Sequence, residues 1–230
     1  VLDVKVGSGA FMKSRDSARE LAQTMVDLGT EAGVHTRALI TNMDTPLGRA
    51  VGNAVEVAEA VEVLSGGGPS DVVELTLALA RHMLALVGRD DVDPARALRN
   101  GQAMDVWRKM VHAQGGDPDA PLAEASCSDT YRAPATGVVT RLDAYQVGVA
   151  AWRLGAGRSR REDAVQSGAG IYLHAKPGET ITQGDPLFTL YTDTPQRLPR
   201  ARQALEAAYD VVEEATFTPE PIVWETITGG

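Results

Sequence analysis

Cysteine occurs once in this chain, at Cys127, and histidine only four times. A single thiol builds no internal disulfide framework and suits a reducing cytoplasm, so a core must hold the fold. No apolar run approaches the ~20 residues that a membrane-spanning helix needs. No basic segment followed by an apolar stretch marks a signal peptide. Positive charge is also short: Lys and Arg total 22 against 31 Asp and Glu, a formal charge of −9. Nucleic-acid binding needs clustered cations on phosphates, and Arg158, Arg160 and Arg161 form the only dense basic spot. No internal repeat or low-complexity tract occurs. The histidines, His35, His82, His112 and His174, have no partner at ligand spacing, which leaves zinc and a His-based triad unsupported. Ser8 lacks the Gly-x-Ser-x-Gly frame of a nucleophile elbow.

What is present is enough apolar residue, 43% of 230, for one large domain or two modest ones. The chain opens on "VLDVKVGSGAF", an apolar strand running into a Gly-Ser-Gly turn, and a strand of this kind belongs inside a sheet. Ser17 and Glu20 have capping-box spacing, and Ala18, Leu21, Ala22, Met25 and Val26 give the following helix one apolar face. "VHTRALITNM" reads as a second strand, which completes a βαβ unit and favours parallel pairing. The loop "DTPLGRAVG" leads to a helix with Asn53 as its cap, then to a long apolar helix capped by Ser70 and running through Val87. Asp93-Pro94 opens a shorter helix, and "GQAMDVWRKMVHAQGG" is one more amphipathic helix.

Composition shifts at the Pro- and Asp-rich "GDPDAPLAEA", which sets a domain division between residues 1–116 and 117–230. Beyond it come two short strands, a short glycine-ended helix, and strands punctuated by Pro-Gly and Gly-Asp turns in "SGAGIYLHAKPGETITQGDPLFTLYT". A last helix is expected from roughly Arg200 to Ala215. The fold class is α/β: part of a mixed or parallel sheet with flanking helices, then a smaller α+β domain with short barrel-like strands.

In an open α/β sheet, ligands bind beyond the carboxyl ends of the strands. "VGSGAF" occupies such a place, although a lone Gly-Ser-Gly reads first as a tight turn. Phe11, just past it, either packs on the next helix or lines a pocket mouth; spacing alone favours packing. Carbonyls around Leu47 to Ala50, with Glu59 on the following helix, form the oxygen-rich set a hard cation prefers. A solvated Glu59 among neighbours such as Glu56 and Glu62 is the plainer reading.

"DVKVGSGAFM", "TNMDTPLGRAVGNAVEVAEAVEVLSG", "LGAGRSRREDAV" and "GAGIYLHAKPGETITQGDPLFTLY" closely resemble thymidine and pyrimidine-nucleoside phosphorylases across essentially the whole chain. The resemblance implies a pentosyltransferase: reversible phosphorolysis of a pyrimidine nucleoside, with phosphate as co-substrate, to free base and a pentose 1-phosphate. It further implies a cytoplasmic homodimer with a small helical domain and a larger α/β domain. The family's phosphate loop, catalytic histidine and base-holding Arg, Ser and Lys would precede Val1. No catalytic residue is therefore assigned, and the chain is expected to be a C-terminal portion, inactive alone. By the same resemblance, Phe11 would line the base pocket. Leu47 and Ala50 would offer carbonyls, and Glu59 a carboxylate, to a potassium ion. A non-catalytic scaffold, or a biotinyl- or lipoyl-like carrier module suggested by "KPGETITQGDPLFTL", is the rival. Lys176 does not sit in the central hairpin that carrier chemistry needs, and no lysine occurs between Lys109 and Lys176.

Overall fold

A computed structural model describes residues 1–158 and 160–229. In chain order the elements are β1 (Leu2–Val6), α1 (Arg15–Glu31), β2 (Arg37–Asn42), β3 (Ala50–Gly52), α2 (Ala54–Leu64), α3 (Ser70–Leu86), α4 (Ala95–Arg99) and α5 (Gln102–Ala113). They continue as β4 (Cys127–Arg132), β5 (Gly137–Leu142), α6 (Ala144–Ala151), β6 (Gly170–Leu173), β7 (Thr180–Ile181), β8 (Pro186–Thr192), α7 (Leu198–Glu206), β9 (Tyr209–Val212) and β10 (Val223–Thr228). These elements form two compact units.

The first unit takes Val1–Met43, Val61–Ala120 and the segment from Glu220 onward. β1 and β2 pair in parallel from Leu2↔Ala38 to Val6↔Asn42, as the strand–helix–strand pattern predicts. β10 then pairs antiparallel on the other side of β2, so the sheet is mixed in the order β1-β2-β10. Helix α1 buries Ala18, Ala22 and Val26 against Val4, Val6, Ile40 and Ile227. Leu21 and Met25 stay partly exposed, so the buried stripe is narrower than the sequence pattern. The cap of α1 is Ser14, whose extended backbone lets its Oγ accept from Ser17 N at 3.3 Å. Ser17, expected as the cap, is already helical. Ser70 likewise lies inside α3, with Pro69 at the cap position.

The second unit takes Asp44–Ala60 and Pro121–Pro219. Residues 44–60, grouped by composition with the first domain, pack here because β3 pairs antiparallel with β6, Ala50↔Tyr172 to Gly52↔Gly170. Two open sheets, β3-β6-β8-β4 and β7-β5-β9, share one core with α6 and α7; α6 packs on β3 and β6, and α7 on α6. Phe188, Leu142, Leu154, Ile171, Leu173, Leu187, Leu190 and Leu205 form the core. Asp143 caps α6 by accepting from Gln146 N at 2.8 Å. The last helix ends at Glu206, short of the expected Ala215, because Tyr209–Val212 leaves it to pair with β5.

Candidate functional site

The turn after β1 is held by backbone bonds before any side chain is considered. Gly7 N donates to Met12 O at 3.1 Å, Ala10 N to Gly7 O at 3.1 Å, and Gly9 N to Met43 O at 3.0 Å. Lys13 Nζ donates to Ser8 O at 2.8 Å, which adds a cation to this turn. Phe11 sits on the resulting shelf with its side chain 100% exposed. It does not pack on α1, the arrangement that spacing alone favours. A fully exposed aromatic at the carboxyl end of a strand is a surface on which a flat ligand can stack.

The 46–50 loop in the second unit is built more tightly. Gly48 takes φ +71°, a left-handed conformation that a side chain disfavours. Glu59, on the second turn of α2, folds back onto the loop: its Oε2 accepts from Arg49 N at 2.7 Å and Ala50 N at 3.2 Å. The structure thus ties Glu59 to the amides of Arg49 and Ala50, with Leu47 two residues earlier in the same loop, so Glu59 is not merely solvated. Glu56 is not merely solvated either, since its Oε1 accepts from Gly52 N at 2.7 Å.

Three residues that carry this loop escape sequence reasoning. The Arg49 guanidinium donates to His174 O at 2.9 Å and pairs with Glu179. The other Glu179 carboxylate oxygen accepts from Lys176 N at 2.9 Å, inside the Lys-Pro-Gly-Glu turn. The Lys176 ammonium donates to Pro46 O and, at 2.7 Å, to Gly48 O. The turn residues Pro177 and Gly178 are visible in the sequence, but the partner 130 positions away is not. Lys176 is drawn onto this loop and not presented at a hairpin tip, which removes the structural basis of a carrier module.

Carbonyls with one carboxylate fit a monovalent cation better than a dication, which collects several acidic ligands. Among the described residues, no three His, Cys, Asp or Glu side chains form a metal cluster. His174 Nε2 lies 2.8 Å from Thr189 Oγ1, and His82 Nδ1 lies 3.5 Å from the Arg37 guanidinium. Burial holds both imidazoles below their ordinary pKa, and Arg49 and Arg37 push in the same direction. In the first unit a cavity of about 420 Å³ opens beside His35 and Arg37, at the amino end of β2. Phe11 does not line it.

Residues 1–104 match the model of the glycosyl transferase family a/b domain, and residues 138–212 match that of the pyrimidine nucleoside phosphorylase C-terminal domain. The chain is 59% identical over 211 residues to the thymidine phosphorylase of Mycobacterium tuberculosis H37Rv, covering 92% of this chain and 49% of that protein. It is 39% identical over 238 residues to the pyrimidine-nucleoside phosphorylase of Bacillus subtilis 168, covering 99% and 54%. Against the Staphylococcus aureus NCTC 8325 pyrimidine-nucleoside phosphorylase it is 41% identical over 204 residues, covering 84% and 47%. The chain spans about half the length of the curated relatives it matches.

Proposed function

Because the chain belongs to the pyrimidine-nucleoside phosphorylase family, we propose that it forms part of an enzyme that phosphorolyses pyrimidine nucleosides reversibly to free base and a pentose 1-phosphate. The observation that carries this reading is the 59% identity sustained over 92% of the chain. The chemistry is a pentosyl transfer with phosphate as nucleophile. In this chain Phe11 offers a ring for the pyrimidine to stack on. Leu47 and Ala50 offer carbonyls, and Glu59 a carboxylate, to a potassium ion. That ion would supply a fixed positive charge and order the loop. The working enzyme is a cytoplasmic homodimer in this reading. Among the described residues no helix is long and apolar enough to cross a membrane.

The direct test is release of thymine or uracil from thymidine or uridine with phosphate. A protein of the relatives' length carrying these residues turns over, and the 230 residues by themselves do not. Absence of turnover in the longer protein with both nucleosides would overturn the reading. In that protein Phe11→Ala raises KM for nucleoside more than for phosphate. Stacking on an aromatic is worth about 1–3 kcal/mol per base in other systems. Equal losses for both substrates would remove Phe11 from the base site.

A further inference from the structure

Two carbonyl oxygens brought within reach of one point carry negative ends that need a positive partner. In the 46–50 loop those oxygens belong to Pro46 and Gly48, both buried residues, and the Lys176 ammonium donates to both. Lys176 is itself fixed. Its backbone N–H donates to Glu179 Oε2 at 2.9 Å, Glu179 N donates back to Lys176 O at 3.0 Å, and Pro177-Gly178 form the turn between them. Glu179 pairs with Arg49, whose own N–H is held by Glu59 at 2.7 Å. Opposite charges therefore alternate through the cluster as Lys176, Glu179, Arg49 and Glu59. The amide side of the loop rests on a carboxylate and the carbonyl side on an ammonium.

The geometry points to Lys176 as the resident cation of this loop, a positioning residue that orders the carbonyl side before any metal ion arrives. Pinning the carbonyls of residues 46 and 48 constrains Leu47 between them and Ala50 just after. An uncharged side chain at 176 leaves that task to an external cation. The lysine's own role stands on the hydrogen bonds above; its link to potassium rests on the proposed cation site.

Hydrogen–deuterium exchange at the Arg49 and Ala50 amides tests both parts, in choline chloride and in potassium chloride at equal ionic strength. The native chain exchanges slowly in both salts. Lys176→Met exchanges about tenfold faster in choline chloride, because a charged hydrogen-bond anchor is gone. Lys176→Arg, which still donates to two carbonyls, stays close to native. Potassium restores protection to Lys176→Met. Native-like exchange in Lys176→Met in choline chloride would overturn the role of the lysine. Loss of protection that potassium does not restore would leave the lysine's role standing and overturn its proposed link to potassium. Should Lys176→Met fail to fold, the native chain decides by nitrogen-15 NMR of its lysine ammoniums. Slow proton exchange at Lys176 Nζ supports the assignment, and exchange as fast as at the exposed Lys109 overturns it.

Discussion

Glu59 shows how much one side chain does once its partners are known. Its carboxylate takes two backbone N–H groups, Arg49 and Ala50, and ties α2 to the loop that precedes β3. Glu59→Gln keeps the shape and loses the charge. A charged hydrogen bond weakened in this way costs about 1–2 kcal/mol of unfolding free energy. Glu62→Gln, on an exposed position of the same helix, stays within about 0.5 kcal/mol. Urea unfolding of both variants in potassium-free buffer measures the difference. Titration adds a second residue-scale expectation. His82 and His174 have folded pKa values below the ordinary imidazole value, so the unfolded chain binds more protons than the folded one. Their contribution is complete above the unfolded pKa of about 6.5 and is lost as pH falls through it toward the folded values. The melting temperature therefore drops as the pH falls through the ordinary imidazole value of about 6.5, and the double variant His82→Gln, His174→Gln flattens that slope.

At the scale of elements, β2 and β1 differ because of what lies beside them. β2 is paired on both sides, by β1 and β10, and Leu39 and Ile40 are buried. Among the described residues β2 is the one named strand that β1 pairs with, and a single bridge from Val6 to Met12 touches its other edge, so alternate N–H groups along the rest of it face away from the ladder. Amide exchange is expected to show this directly. Leu39 and Ile40 exchange only by global opening, whereas β1 shows a fast–slow alternation from Leu2 to Val6. Uniform slow exchange along β1 would mean that its outer edge is covered, by self-association or otherwise. Helix α1 is anchored in a different way. Arg19 grips Glu225 of β10 with Nε and Nη2 at 3.0 and 2.8 Å, which holds that carboxyl below its ordinary pKa. Such an ion pair is partly exposed, so the helix depends mainly on its buried Ala18–Ala22–Val26 stripe.

At the scale of the molecule, each compact unit has its own core, and that of the second unit centres on Phe188. Its ring is fully buried and meets Tyr131 and Tyr209 at centroid distances of 5.7 Å each. The two tyrosine hydroxyls meet at 3.1 Å, so the aromatic group is satisfied in its polar atoms as well. Phe188→Ala removes the filling of that core and is expected to cost about 3–5 kcal/mol. Chemical denaturation followed by far-ultraviolet circular dichroism measures it. A loss under about 1 kcal/mol would mean that the surrounding side chains collapse into the space.

Local rules read from the residues were sufficient for β1, α1 and β2, since their apolar spacing, turn glycines and short connection all agree. The same holds for the strands from Gly170 to Thr192, where Pro-Gly and Gly-Asp turns punctuate β-branched and aromatic runs. Family membership was legible for a related reason: long motifs kept in order survive without any coordinates. Leu47, Ala50, Glu59 and Phe11 were visible as candidates in the residues, but the resemblance alone raised them above the plainer readings of a packed aromatic and a solvated glutamate. Tertiary structure decided the rest. β3 and β9 are too short to show a period of their own, and β10 pairs with a strand that ends at Asn42, far from it in sequence. Arg49, Lys176 and Glu179 look like ordinary surface charges along the chain. They come together because β3 pairs with β6 and brings the 46–50 loop to the 173–179 turn. Sequence spacing reports contacts within a helix or hairpin, and a hydrogen bond spanning 130 positions exists only once the chain has folded.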